Sequence, residues 1–111
     1  MGIELQLHSE RPGARKRAAG ATLLRESHQH GEALAQALAT LELDPSGKLC
    51  WIDPYGDILF NEQEAQLVRG EAAALAQRCT DERQKAALFD LAALLDECAA
   101  TPGSYVWCAG D

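Results

Sequence analysis

The densest run of chemically able residues is Asp53-Pro54-Tyr55-Gly56-Asp57, with Trp51 two residues before it. Two carboxylates around a Pro-Tyr-Gly centre have three uses. They can accept hydrogen bonds from turn N–H groups, as Asp side chains do two residues on. They can form an acidic, aromatic-rimmed recognition loop, since loops on rigid scaffolds often carry binding. They can also ligate a cation. Aligning Gly56 with the loop glycine of a calcium-binding EF-hand puts Asp53, Ile58 and Glu62 at plausible positions. Trp51 and Tyr55 then fall where oxygen ligands are needed, and the preceding segment reads as strand rather than helix. No metal ligands are assigned on this basis.

A second cluster is His28-x-His30-x-Glu32. Side chains at i and i+2 converge on a strand but diverge by about 200° on a helix. The segment reads as a solvated first helical turn. Were it extended, His28 or His30 could join Asp53 and Asp57 in a metal-dependent or hydrolytic enzyme, which is the main alternative function. No G-x-S-x-G, H-E-x-x-H or P-loop occurs. The chain is therefore read as non-enzymatic, with no cofactor.

Trp51, Tyr55, Tyr105 and Trp107 are four of only six aromatics. Tyr and Trp are the types enriched where protein partners dock. Tyr105 and Trp107 share one face of a predicted last strand, opposite Val106 and Cys108. Periodicity leaves open which of those faces is buried. The candidate partner-binding residues are Trp51, Asp53, Tyr55, Asp57, Tyr105 and Trp107.

The charge balance narrows the partner. The 111 residues carry a net charge of −7, unevenly spread. Residues 1–17 hold Arg11, Arg15, Lys16 and Arg17 against Glu4 and Glu10, a local +2, which leaves −9 for residues 18–111. Such a body repels phosphate backbones, so nucleic acid is disfavoured and a basic protein partner is favoured. The basic run has no interleaved aromatics and reads as a solvated loop over about 9–20. No apolar stretch approaches 18 residues, so no membrane span is expected. The opening residues lack a charged region followed by an apolar one, so no secretory leader is expected and the location is read as cytoplasmic.

These residues must be held by one domain covering 1–111, the size of a single core. Ile3, Leu5 and Leu7 alternate with Glu4, Gln6 and His8, which predicts a half-buried strand with His8 exposed. Residues 21–25 suggest a second short strand. Ser27 is placed to cap a helix over 28–41, whose stripe is Ala33, Leu34, Ala37, Leu38 and Leu41. Residues 48–52 read as a strand that forms a β-hairpin with 58–60 across the 53–57 turn. Gly56 should close that turn with φ > 0, or where a Cβ would be crowded. Asn61 with Glu64 predicts a capping box for a helix ending near Cys79, with Val68, Ala72, Leu75, Ala76 and Cys79 inward. Thr80 should cap a second helix with Leu88, Leu91, Leu95 and Cys98 inward, widened by Phe89 and Leu94, and stopped by Pro102-Gly103. A strand over 104–108 closes the chain. This order predicts an α+β domain: a small, mostly antiparallel sheet with about three helices packed on one face.

Cys50, Cys79, Cys98 and Cys108 contain no C-x-x-C pair and read as free, largely buried thiols. Cys79 and Cys98 would lie about 25 Å apart along the helix hairpin, beyond the reach of a disulfide. Only Cys50 and Cys108 could meet, if their strands are neighbours.

The opening Met1-Gly2-Ile3-Glu4-Leu5, the central run from Ile52 through Asp53-Pro54-Tyr55-Gly56-Asp57 to Asn61, and the closing Gly110-Asp111 resemble a group of short bacterial proteins. Those share a D-P-Y-G-D turn, a following helix pair and a terminal aromatic strand ending in G-D. The resemblance covers most of the chain in outline and about ten residues in detail. It implies one bacterial domain and carries no activity with it. In size, acidity and lack of a catalytic motif the chain is also similar to bacterial immunity proteins, which cover the active site of a cognate toxin. That similarity implies an immunity or antitoxin-like inhibitor whose partner is a basic protein, such as a toxin. A structural homo-oligomer subunit is a third expectation.

Overall fold

A computed structural model describes residues 2–11 and 23–110. Among these residues, four strands and three helices run in the order β1 (Ile3–His8), β2 (Leu23–Ser27), α1 (Gly31–Thr40), β3 (Asp57–Asn61), α2 (Glu62–Arg78), α3 (Glu82–Ala100) and β4 (Tyr105–Gly110), with one 3-10 turn at Leu49–Trp51. The sheet order is β2-β1-β4-β3, and every neighbouring pair is antiparallel. The helices pack on one face, as the sequence predicted. Ile3, Leu5, Leu7, Phe60, Val106 and Cys108 meet Leu34, Leu88, Leu91 and Leu95 in the single core. Val106 and Cys108 are thus the buried residues of the last strand, which places Tyr105 and Trp107 on the other face.

Local chemistry sets the α2 and α3 boundaries. Asn61 ends β3 and caps α2 at once. Its Oδ1 accepts from Glu64 N–H at 2.8 Å, and Glu64 Oε1 accepts from Asn61 N–H at 3.1 Å. The inward stripe from Val68 to Cys79 is buried as predicted. Asp81, rather than Thr80, caps α3, because its carboxylate reaches Arg83 and Gln84 N–H at 2.9 and 3.0 Å. At the other end the Ser104 hydroxyl lies 2.7 Å from Thr101 O and satisfies a terminal helix carbonyl. Ser104 is fully buried there and fixes where β4 begins.

The structure corrects several expectations. Residues 48–52 are not a strand, and β3 pairs with β4 instead of forming a local hairpin. The cause is distant in sequence: the Glu71 carboxylate of α2 accepts from Lys48 and Leu49 N–H at 3.0 and 3.4 Å and holds the 3-10 turn. Helix α1 begins at Gly31, with no side-chain cap. Ser27 instead ends β2 and donates to Asp90 of α3. Phe89 is 41% exposed and does not widen the α3 stripe, whereas Leu94 is buried. Gly56 does not have φ > 0, although a Cβ there would be crowded as the alternative expectation had it, meeting the Asp53 carboxylate at 3.2 Å. The four cysteines are free, but Cys50 is exposed in the 3-10 turn and only three are buried. Of the basic loop, Ser9, Glu10 and Arg11 are exposed, and residues 12–20 lie outside the described residues, as do 21 and 22 of the predicted second strand.

Candidate functional site

Directly opposed residues of an antiparallel pair point to the same side of the sheet. The register therefore sorts the outer face, turned away from the helices, into three rows. The central row is Glu26, Gln6, Trp107 and Leu59, one residue from each strand. On one side lies Glu4, Ala109 and Asp57, extended past β2 by His28. On the other side lie His8, Tyr105 and Asn61. The face thus has an aromatic centre and one end carrying the exposed carboxylates of Glu4 and Asp57.

Each position has a local cause. Glu4, Gln6 and His8 face outward because Ile3, Leu5 and Leu7 are drawn into the core. His8 departs from expectation, being fully buried on this polar face. Its Nε2 lies 2.8 Å from Gln6 Oε1, and its ring is tilted against Trp107 with centroids 5.9 Å apart. Burial lowers its pKa below the usual imidazole value. His28 sits where the chain leaves β2, with Nδ1 3.8 Å from Glu4 Oε1 and Nε2 4.0 Å from Glu26 Oε1.

The 53–57 turn hangs beside the end of β4. Asp53 Oδ1 accepts from Tyr55 N–H at 2.9 Å, so this carboxylate holds the turn. Gly110 N–H donates to Gly56 O at 2.8 Å. A Cβ on Gly110 would come within 2.5 Å of Asp53 O and Pro54 O. The central and terminal glycine-containing motifs are therefore two halves of one contact, and Gly110 is the residue that must lack a side chain.

The six predicted site residues fall into separate groups. Tyr105, Trp107 and Asp57 share the outer face. Tyr55, 68% exposed, and Asp53 sit on the turn. Trp51, 52% exposed, belongs with the helices: the Lys48 ammonium lies 4.5 Å from its ring and 3.2 Å from Glu64 of α2. Sequence reasoning missed Glu26, Leu59, Ala109 and the placing of Glu4 and Asp57 on either side of Ala109. Alternation marked Glu4 as outward, but strand order is what brings these residues together.

The residues of the enzymatic alternative are dispersed. His28 follows one edge strand and Asp57 starts the other, three strand spacings or about 14 Å apart. His30 lines a different feature, an open cleft of about 380 Å³ between α1 and α3, with Glu32, Glu82 and Arg83. Among the described residues no three His, Cys, Asp or Glu side chains converge as metal ligands would. No described helix is long and apolar enough to cross a membrane. Comparison with protein-family models, with curated proteins and with solved structures finds no match to this chain.

Proposed function

We propose that the chain is a non-enzymatic protein-binding module of the cytoplasm, most concretely an immunity or antitoxin-like inhibitor that covers a basic site on a partner protein, such as a toxin. The observation carrying this reading is the outer sheet face, where Trp107, Tyr105 and Leu59 are flanked by Glu4, Glu26 and Asp57. Aromatics offer anchors of large area at low entropic cost, and the carboxylates give the charge that steers a basic partner. The acidic body adds to that steering over distance. Occlusion of the partner's site needs no catalytic group. The dispersed positions of His28 and Asp57 give the enzymatic alternative less support.

The test is affinity capture from a native lysate of the source cells with wild type and with Trp107→Ala and Asp57→Lys. A basic protein retained by wild type and lost by both folded variants is the expected outcome. Retention undiminished in both, or no protein retained by wild type, would overturn the reading.

A further inference from the structure

We infer that β2 is a clasped flap: an edge strand that opens from the sheet on its own, hinged at residues 28–30 and held shut by two polar contacts to α3. The inference goes beyond the proposed function and stands whether or not the outer face meets a partner. None of the five residues of β2 is buried, and Leu24 is 53% exposed. The other edge strand, β3, is different. It buries Phe60 completely and runs straight into the capping box of α2. Opening β3 would carry an aromatic core residue into water, whereas opening β2 carries no core side chain of its own. The ladder of β2 is also interrupted. Leu5, Gln6 and Leu7 pair in register with Ser27, Glu26 and Arg25, and a shift follows between Leu7 and His8. An irregularity of this kind breaks the run of ladder hydrogen bonds.

What ties β2 to the helices is polar. Arg25 and Ser27 stand opposite Leu7 and Leu5, on the side of the sheet that carries the helices. Arg25 Nη1 lies 2.7 Å from Glu97 Oε2, and the Ser27 hydroxyl donates to Asp90 Oδ2. Asp90 and Glu97 are two turns apart on one face of α3, so the two strand positions meet two helix positions as a matched pair. The ion pair has both side chains about half in water, at 55% and 43% exposure, where such a pair holds weakly and is screened by salt. On the outer face His28 stands 3.8 Å from Glu4 and 4.0 Å from Glu26, beyond hydrogen-bond reach. The far side of the hinge is fixed. A Cβ on Gly31 would come within 2.9 Å of Ile3 O, so the start of α1 rests on the β1 backbone and the opening stops before it. Release of β2 bares the backbone groups of β1 that face it and takes Glu26 off the outer face.

The test is amide hydrogen exchange of the full chain in rising urea, kept below the unfolding transition. β3 is the like-for-like control, being an edge strand too. The β2 amides paired with β1 are expected to exchange about a hundredfold faster than the β3 amides paired with β4, each relative to its unfolded-chain rate. Their rate should barely depend on urea, because a local opening exposes little surface, whereas β3 should follow the urea dependence of global unfolding. Asp90→Ala should speed β2 exchange a further tenfold or so, and Arg25→Gln about two- to fivefold, with β3 unchanged in both. Sodium chloride at about 1 M should reproduce the effect of Arg25→Gln in wild type and add nothing in that variant. Exchange of β2 that matches β3 in rate and urea dependence would overturn the flap. Variants that speed both strands alike, or neither, would overturn the clasp and with it the proposal.

Discussion

The two faces of the one sheet are built from alternate residues of the same strands, yet they obey different constraints. On the helix side Leu7, Phe60 and Val106 are fully buried against α2 and α3. One residue away on each strand, Gln6, Leu59 and Trp107 are only half-buried. The inner face is fixed by packing, where close-packed neighbours feel the change of a single methylene. The outer face is fixed only by register, so its side chains are free to be chosen for something other than stability. Of the six candidate residues, Asp57, Tyr105 and Trp107 lie on it.

The strongest way to break this contrast is to truncate adjacent residues of β3. Phe60→Ala should cost about 3–5 kcal/mol, the usual penalty for an aromatic cavity in a core. Leu59→Ala should cost about 1 kcal/mol, since its side chain is already partly in water. Urea denaturation of both variants measures the ratio. Similar midpoints would mean that the outer face is as tightly packed as the inner one.

Neighbours on β4 offer a second comparison of smaller size. Gly110→Ala forces a Cβ into the backbone of Asp53 and Pro54 and should cost about 1–3 kcal/mol. Ala109→Leu on the outer side should stay within about 0.5 kcal/mol of wild type. Gly56→Ala is the control for the turn itself. With an ordinary φ, and only the Asp53 carboxylate rather than backbone to give way, it should cost less than Gly110→Ala. Thermal melts of the three variants check the order. A Gly56 variant that suffers more than the Gly110 variant would reverse the account of that contact.

How far the sequence foretold this follows the range of each cause. The α2 start was legible because Asn61 and Glu64 cap each other three residues apart. The β1 alternation was legible because one strand carries its own period. The 48–52 segment was misread because its apolar run matches a strand, while the group that bends it, Glu71, sits on a helix more than twenty residues on. Gly56 drew attention as the turn glycine, but the demanding glycine is Gly110, whose constraint comes from a contact across the fold. The aromatic face was half legible. Period two paired Tyr105 with Trp107, and only the helices could say which side they cover. Glu4 and Asp57 fall in one row, on either side of Ala109, through strand order, which no local pattern in this chain encodes.

Protonation sharpens the contrast on the inner side. Burial pushes the Cys108 thiol up to about 12 from an ordinary value of 9.0. The folded state then keeps a proton that the unfolded state loses between those two values. Unfolding is favoured as pH rises through that window, with a slope of at most about 1.4 kcal/mol per pH unit for one group. Wild type should lose about 1 kcal/mol between pH 8 and pH 10 relative to Cys108→Ala. Cys98 is shifted upward too, again chiefly by burial, but it is common to both chains and cancels in the difference. Parallel urea midpoints for the two chains over this range would place Cys108 in contact with water.

The smallest effect belongs to His8, the one residue that blurs the contrast between the faces. It points outward by register yet is fully buried, and desolvation lowers its pKa from 6.5. The sign is opposite to that of the thiol. Here the unfolded state binds the proton more readily, so the stabilising contribution is present above 6.5 and is lost as pH falls below it. His8→Gln removes the titration while keeping a polar side chain of similar reach beside Gln6. Urea midpoints of wild type should fall more than those of His8→Gln between pH 7.5 and pH 5. The other two histidines, His28 and His30, are present in both chains, so the difference isolates position 8. Wild type and variant falling in parallel would mean that His8 protonates as freely as in water. The His8–Tyr105 row would then be as open as the Glu4–Asp57 row, and the outer face would be one continuous surface. A steeper fall in wild type instead confines the accessible part of the face to Trp107 and the carboxylates beyond it, the end at which a cationic partner is proposed to dock.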